Sequence, residues 1–147
     1  MIGIIVTGHG GFATGLDSNA RLLAGGEADI TAIDFNDGYT PEELEEDLRR
    51  AIETYKDRSS VMILTDIMGG TPYLKAAALS VQYEKVRVLH GVSAALLLDL
   101  VIRNMSGNDG ADPDSLAEEL LQTAREGLGV FKLDLTAPDE TEEEDGI

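Results

Sequence analysis

The chain reads as an α/β protein, with a doubly wound and mainly parallel sheet covered by helices on both faces. Short apolar runs rich in Ile and Val alternate along the sequence with segments whose apolar residues recur at helical spacing. Several of the runs, MIGIIVT at the start and SVMILT from Ser60, are continuous rather than alternating, as strands buried on both faces require. At 147 residues the chain is large enough to bury one core without staples, and it has no cysteine to make them.

The first strand runs into GHGGF, where Gly8, Gly10 and Gly11 open a tight turn around His9. Leu16, Ala20, Leu23 and Ala24 then form one face of a helix over 13–24, stopped by Gly25 and Gly26. Ile30, Ala32 and Ile33 give a second strand of mixed exposure, a candidate sheet edge, ending near Phe35. Thr40, Pro41 and Glu43 form an N-cap, first-turn proline and capping box, which starts a helix over 41–56. The strand from Ser60 to Thr65 delivers Asp66, and Thr71 and Pro72 can cap and begin a helix over 72–81. A fourth strand follows over 85–90, and Gly91, Val92 and Ser93 lead into an apolar helix over 94–104. After a polar loop, Asp112 or Asp114 caps a helix carrying Leu116, Leu120, Leu121 and Ala124 to about Gly127. Finally GVFKLDL, residues 129–135, alternates Phe131, Leu133 and Leu135 against Val130, Lys132 and Asp134, which predicts a half-buried strand. The chain leaves it no obvious neighbour. Pairing with an exposed sheet edge on a second subunit would cover it and make a homodimer.

The formal charge of −17, with 28 acids against 11 bases, argues against a nucleic-acid groove, whose phosphates need clustered Lys and Arg. Part of that excess sits in residues 136–147, an acidic tail expected to be disordered, leaving 1–135 as the folded domain. No apolar run approaches the roughly 18 to 20 residues that span a bilayer, and the start lacks the basic region of a signal peptide, so the expected location is the cytoplasm.

Two residues stand at strand ends where open α/β sheets place their chemistry: His9 and Asp66. If strands one and three are neighbours, the two meet across the crevice. A neutral imidazole nitrogen can attack phosphorus, and a carboxylate on its other nitrogen would fix the tautomer and stabilise positive charge on the ring. Amides beside Gly10 and Gly70, the first turns of helices and the Thr71 hydroxyl could receive phosphoryl oxygens. The residues alone leave simpler roles open: His9 bonding within its turn, Asp66 and Thr71 as helix caps, Ser93 as cap or site wall, His90 as structural. Other chemistries fit poorly. No Lys follows the glycines as a Walker A loop requires, Ala13 replaces the last glycine of a dinucleotide fingerprint, no HExxH-like spacing holds a metal, and the paired acids of a phosphoaspartate receiver are absent.

Taken together, IVTGHGGFATG, the TDIMGGTP segment from Thr65 to Pro72, the HGVS turn from His90 to Ser93, and AREGLG before the last strand resemble the enzyme IIA domain of the mannose-type phosphoenolpyruvate:sugar phosphotransferase system. The similarity extends almost to Leu135. It implies that His9 is the phosphorylated histidine, taking a phosphoryl group from HPr and passing it to an enzyme IIB partner, with the membrane components IIC and IID involved only indirectly. It also implies that Asp66 is the carboxylate partner of that histidine, that Thr71 supplies a hydroxyl beside the phosphate, with Gly10, Gly70 and Ser93 around it, and that the last strand is exchanged in a homodimer. No cofactor or metal is called for. Met68 stands where some relatives carry an aromatic residue and Ser93 where many carry Asn. An alternative within the same fold is a phosphoryl-accepting regulatory module, such as the phosphotransfer subunit of dihydroxyacetone kinase.

Overall fold

The computed structural model describes residues 1–108 and 112–136. Nine elements follow in order: β1 (Ile2–His9), α1 (Phe12–Ala24), β2 (Ile30–Phe35), α2 (Pro41–Thr54), β3 (Ser60–Thr65), α3 (Thr71–Ser80), β4 (Val86–Leu89), α4 (Ala94–Met105) and α5 (Pro113–Glu126). The strands form one parallel sheet in the order β2-β1-β3-β4. This is the expected α/β architecture, with β2 on an edge. The chain turns to one side after β1 and to the other after β2, so the strand order reverses between β1 and β3, and ligands of such sheets gather at that crevice.

Period-two geometry divides the buried strand residues between two cores. Ile2, Ile4 and Val6 of β1, with Met62 and Leu64 of β3, pack beneath α1, α4 and α5. Ile5, Val61 and Ile63 face the opposite layer, against Leu44, Leu48 and Ile52 of α2 and Ala76 and Leu79 of α3. Seven consecutive residues of β1, Ile2 through Gly8, are buried, and only His9 at its end is exposed. Both central strands are therefore anchored from two sides, and their carboxyl ends are fixed relative to each other.

Helix starts follow local chemistry. Thr40 and Glu43 form the expected capping box on α2, each side chain bonded to the other residue's N–H. Asp112 caps α5 through the Ser115 N–H at 2.9 Å. Thr71, expected as a cap, is instead the first residue of α3, and the cap position belongs to Gly70 in extended conformation. The Thr71–Pro72 pair still starts the helix, because proline fits its first turn, where an N–H has no intrahelical acceptor.

Residues 128–135 form no strand within the chain, and both of their faces are exposed, with Val130, Phe131, Leu133 and Leu135 all open to solvent. The expected half-burial has no source here because no sheet edge of the same chain receives them. The acidic tail, apart from Thr136, lies outside the described residues. Among the described residues, no helix is long and apolar enough to cross a membrane.

The start of β1 depends on one buried polar side chain. Its pairing with β2 begins only at Ile4, and the peptide groups of Ile2 are completed by Asn104 of α4. Asn104 Oδ1 accepts the Ile2 N–H at 2.8 Å, and Asn104 Nδ2 donates to the Ile2 carbonyl at 3.1 Å. Asn104→Leu would leave that donor and acceptor buried and unpaired, so chemical denaturation is expected to show a loss of about 2 kcal/mol; an unchanged midpoint would contradict this account.

Candidate functional site

Parallel pairing of β1 with β3 sets Thr7 opposite Thr65. His9 therefore leaves the sheet two residues beyond that pair and Asp66 one residue beyond it, on adjacent strand ends. Asp66 is held by its own backbone: its carbonyl accepts the Gly91 N–H at 2.9 Å, and the Thr65 carbonyl accepts that of Val92 at 3.3 Å. These bonds tie the end of β3 to the turn that follows β4.

Asp66 Oδ2 binds His9 twice, accepting its backbone N–H at 2.8 Å and lying 2.6 Å from ring Nδ1. The carboxylate side chain is 13% exposed and the imidazole 44%, so the acid is sheltered while its partner reaches solvent. Burial works against ionisation of Asp66, but the His9 amide, the His9 ring and the backbone dipole of Ile67 outweigh it, leaving the carboxyl below the ordinary aspartate range. An ionised carboxylate only accepts hydrogen bonds, so Nδ1 carries a proton, and in the neutral ring the lone pair is therefore on Nε2. The neutral form of the ring is thus held in a single tautomer, with Nε2 as its free nitrogen. Asp66 Oδ1 is buried and has no hydrogen-bond partner among the described residues.

Two glycines make this placement possible. Gly10 adopts φ +58°, a left-handed conformation disfavoured for side chains bearing a Cβ, and its N–H donates to the Phe35 carbonyl at 2.9 Å. At Gly70, a Cβ would lie 2.5 Å from His9 Cε1 and 3.3 Å from Nε2. The free face of the imidazole therefore rests against the start of α3. There the Thr71 and Tyr73 N–H groups have no intrahelical acceptor, Pro72 has no N–H, and no side chain caps the helix. The arrangement presents a lone pair beside an uncapped positive helix end.

The other expected site residues fall as follows. The Ser93 hydroxyl accepts the Leu96 N–H at 3.3 Å and so serves as the cap of α4. His90 lies past the end of β4, edge-on to Tyr73 with ring centroids 5.4 Å apart. Ile67, Met68 and Leu74 are exposed apolar residues on the β3–α3 turn and the first turns of α3. Two contacts with this corner were not expected from the sequence. Phe35 meets the His9 ring edge-on at 5.9 Å, and Asp34 bonds the first turn of α1. A carboxylate at the end of a strand beside a helix that lacks its own cap is the signal that points to Asp34.

Fold and corner define a class: a parallel α/β protein with a histidine held by an aspartate at the strand-order reversal. The family described as PTS system fructose IIA component matches residues 3–117, and the chain belongs to that family. The fructose-specific EIIA component of Bacillus subtilis (strain 168) is 31% identical over 101 residues, covering 69% of each chain. The mannose-specific EIIAB component of Escherichia coli (strain K12) is 29% identical over 131 residues, covering 89% of this chain and 40% of that longer protein. Among solved structures, the phosphotransferase system component EIIA from Streptococcus agalactiae superposes with a TM-score of 0.77 at 30% identity, covering 88% of this chain and 97% of that one. The protein is thus a IIA component of a sugar phosphotransferase system.

The depressed Asp66 pKa makes a pH prediction with a defined sign. A carboxyl whose folded pKa lies below its unfolded value stabilises the protein fully above the ordinary aspartate range, near pH 4, and loses that contribution as pH falls through the folded pKa. Asp66→Asn lacks this dependence. Urea unfolding is expected to show a stability gap between the two proteins at pH 6 that narrows toward pH 3; a gap that widens on acidification would refute the ionised pair.

Proposed function

We propose that Nε2 of His9 accepts a phosphoryl group from phosphorylated HPr and passes it to an enzyme IIB partner. The observation that carries this reading is the division of labour on one ring: Asp66 holds Nδ1–H while Nε2 stands free beside Gly70. The Nε2 lone pair attacks phosphorus, the N–P bond of the donor histidine breaks, and the donor ring leaves with that electron pair. The donor ring keeps the proton already on its other nitrogen, and His9 keeps its Nδ1 proton, so no proton need move. Phosphorylation makes the His9 ring cationic, and Asp66 stabilises that charge without taking the proton. Phosphoryl oxygens are received by the Thr71 and Tyr73 amides and the positive end of α3, with Gly10, Gly70, the Thr71 hydroxyl and Ser93 bordering the group. Positioning and fixed dipoles supply the catalysis, as in phosphoryl transfer generally.

Incubation with phosphoenolpyruvate, enzyme I and HPr is expected to give an acid-labile label on the protein that His9→Ala abolishes. Label retained in His9→Ala, or none in the unaltered protein, would overturn the assignment.

We further infer that residues 128–135 pair with the open edge of β4 in a second copy, forming a homodimer. Beside that edge lies a cavity of about 320 Å³ with Val88, Leu89, Ala117 and Leu121 among its lining residues, suited to alternate apolar side chains of an added strand. Phe131 is 87% exposed in the single chain. Sedimentation velocity at micromolar concentration is expected to show a dimer that Phe131→Asp converts to monomer; a monomeric unaltered protein, or a variant that remains dimeric, would exclude this interface.

A further inference from the structure

Four helices, α1 to α4, begin at the carboxyl end of the sheet, and their amino ends are treated differently: Thr40 caps α2. Ser93 caps α4. α3 starts at Gly70 with no side-chain cap, and α1 starts at Gly11, also without one and with no acid in its first turn. Yet the third α1 amide, that of Thr14, is taken, because Asp34 reaches it from β2. Its Oδ1 accepts the Thr14 N–H at 3.0 Å and its Oδ2 accepts the Thr14 hydroxyl proton at 2.7 Å. A neighbouring strand thus supplies both the bonds and the negative charge that a helix amino end requires.

The same contact bears on His9. Asp34 lies opposite Gly8 in the β1–β2 register, and the next residue, Phe35, accepts the Gly10 N–H and touches the imidazole edge-on. The Gly11 carbonyl accepts the Gly15 N–H as the first helical bond, so the turn carrying His9 is continuous with the turn that Asp34 grips. His9 is bracketed by carboxylates from both neighbouring strands: Asp66 holds it directly, and Asp34 holds its turn through Thr14.

We propose that Asp34 is a positioning residue for phosphoryl transfer at His9. It clamps the turn so that Nε2 stays over Gly70, and it occupies the amino end of α1 so that phosphoryl oxygens settle on α3. This rests on the assignment of His9 as acceptor.

The test measures label transfer from phosphorylated HPr over a range of HPr concentrations, with thermal melting of each variant. Asp34→Ala is expected to lower the saturating rate about tenfold through misplacement of the nucleophile, with KM for HPr within about twofold because the docking surface is untouched. Asp34→Asn should recover most of that loss, since its amide oxygen still accepts the Thr14 N–H. Should Asp34→Ala not fold, Thr14→Val, which removes one bond and keeps the other, carries the test with an expected loss of about threefold. A folded Asp34→Ala that transfers at the full rate overturns the inference, as does an Asn variant no better than the Ala variant, or Thr14→Val at the full rate when it carries the test. Absence of label on the unaltered protein would instead overturn the His9 assignment itself.

Discussion

The pair of hydrogen bonds that Asp66 Oδ2 accepts from the amide and ring of His9 is the interaction on which the site depends. One oxygen fixes the backbone and the side chain of the same residue, so the imidazole cannot rotate away without losing a charge-assisted hydrogen bond. That geometry requires β1 and β3 to be neighbours in parallel, with Thr7 opposite Thr65. The apolar alternation that sorts Ile4 and Ile5 into opposite cores therefore has a chemical consequence, because a slip of one residue would turn every side chain to the wrong face and part the pair.

Much of this was legible because the informative residues are local. GHGGF after an Ile- and Val-rich run, and Asp66 after another, mark strand ends by composition alone. Strand order was not legible, since adjacency is set by packing far along the chain. Thr71 was misplaced by one position: a hydroxyl before proline has the chemistry of a cap, but Gly70 occupies the cap position and approaches His9 too closely for any side chain. Asp34 was hidden for a different reason. Its partner Thr14 is 20 residues away and belongs to a helix, while Asp34 closes a strand, so neither periodicity nor a capping motif joins them. The segment 128–135 shows the pattern of a strand without forming one in the single chain, because periodicity records which residues are to be covered and not what covers them.

The electrostatics of this corner are arranged against a strongly acidic background of −17. Carboxylates approach His9 from two strands, yet each is already committed to a donor: Asp66 to the histidine, Asp34 to Thr14. What remains uncommitted is the positive end of α3. The site thus offers an anion a place that backbone dipoles define rather than lysines or arginines, and the flanking carboxylates are turned toward donors of their own.

The position of His9 in the sheet also determines how the site can fail. β1 is bonded to a strand on each side, and its residues from Ile2 to Thr7 are buried. Amide protons in such a central strand exchange with solvent chiefly when the whole domain opens, whereas helix ends and loops exchange through small local fluctuations. The histidine is mounted on the last segment to loosen. The corner that β1 carries is expected to persist under stress for as long as the fold does.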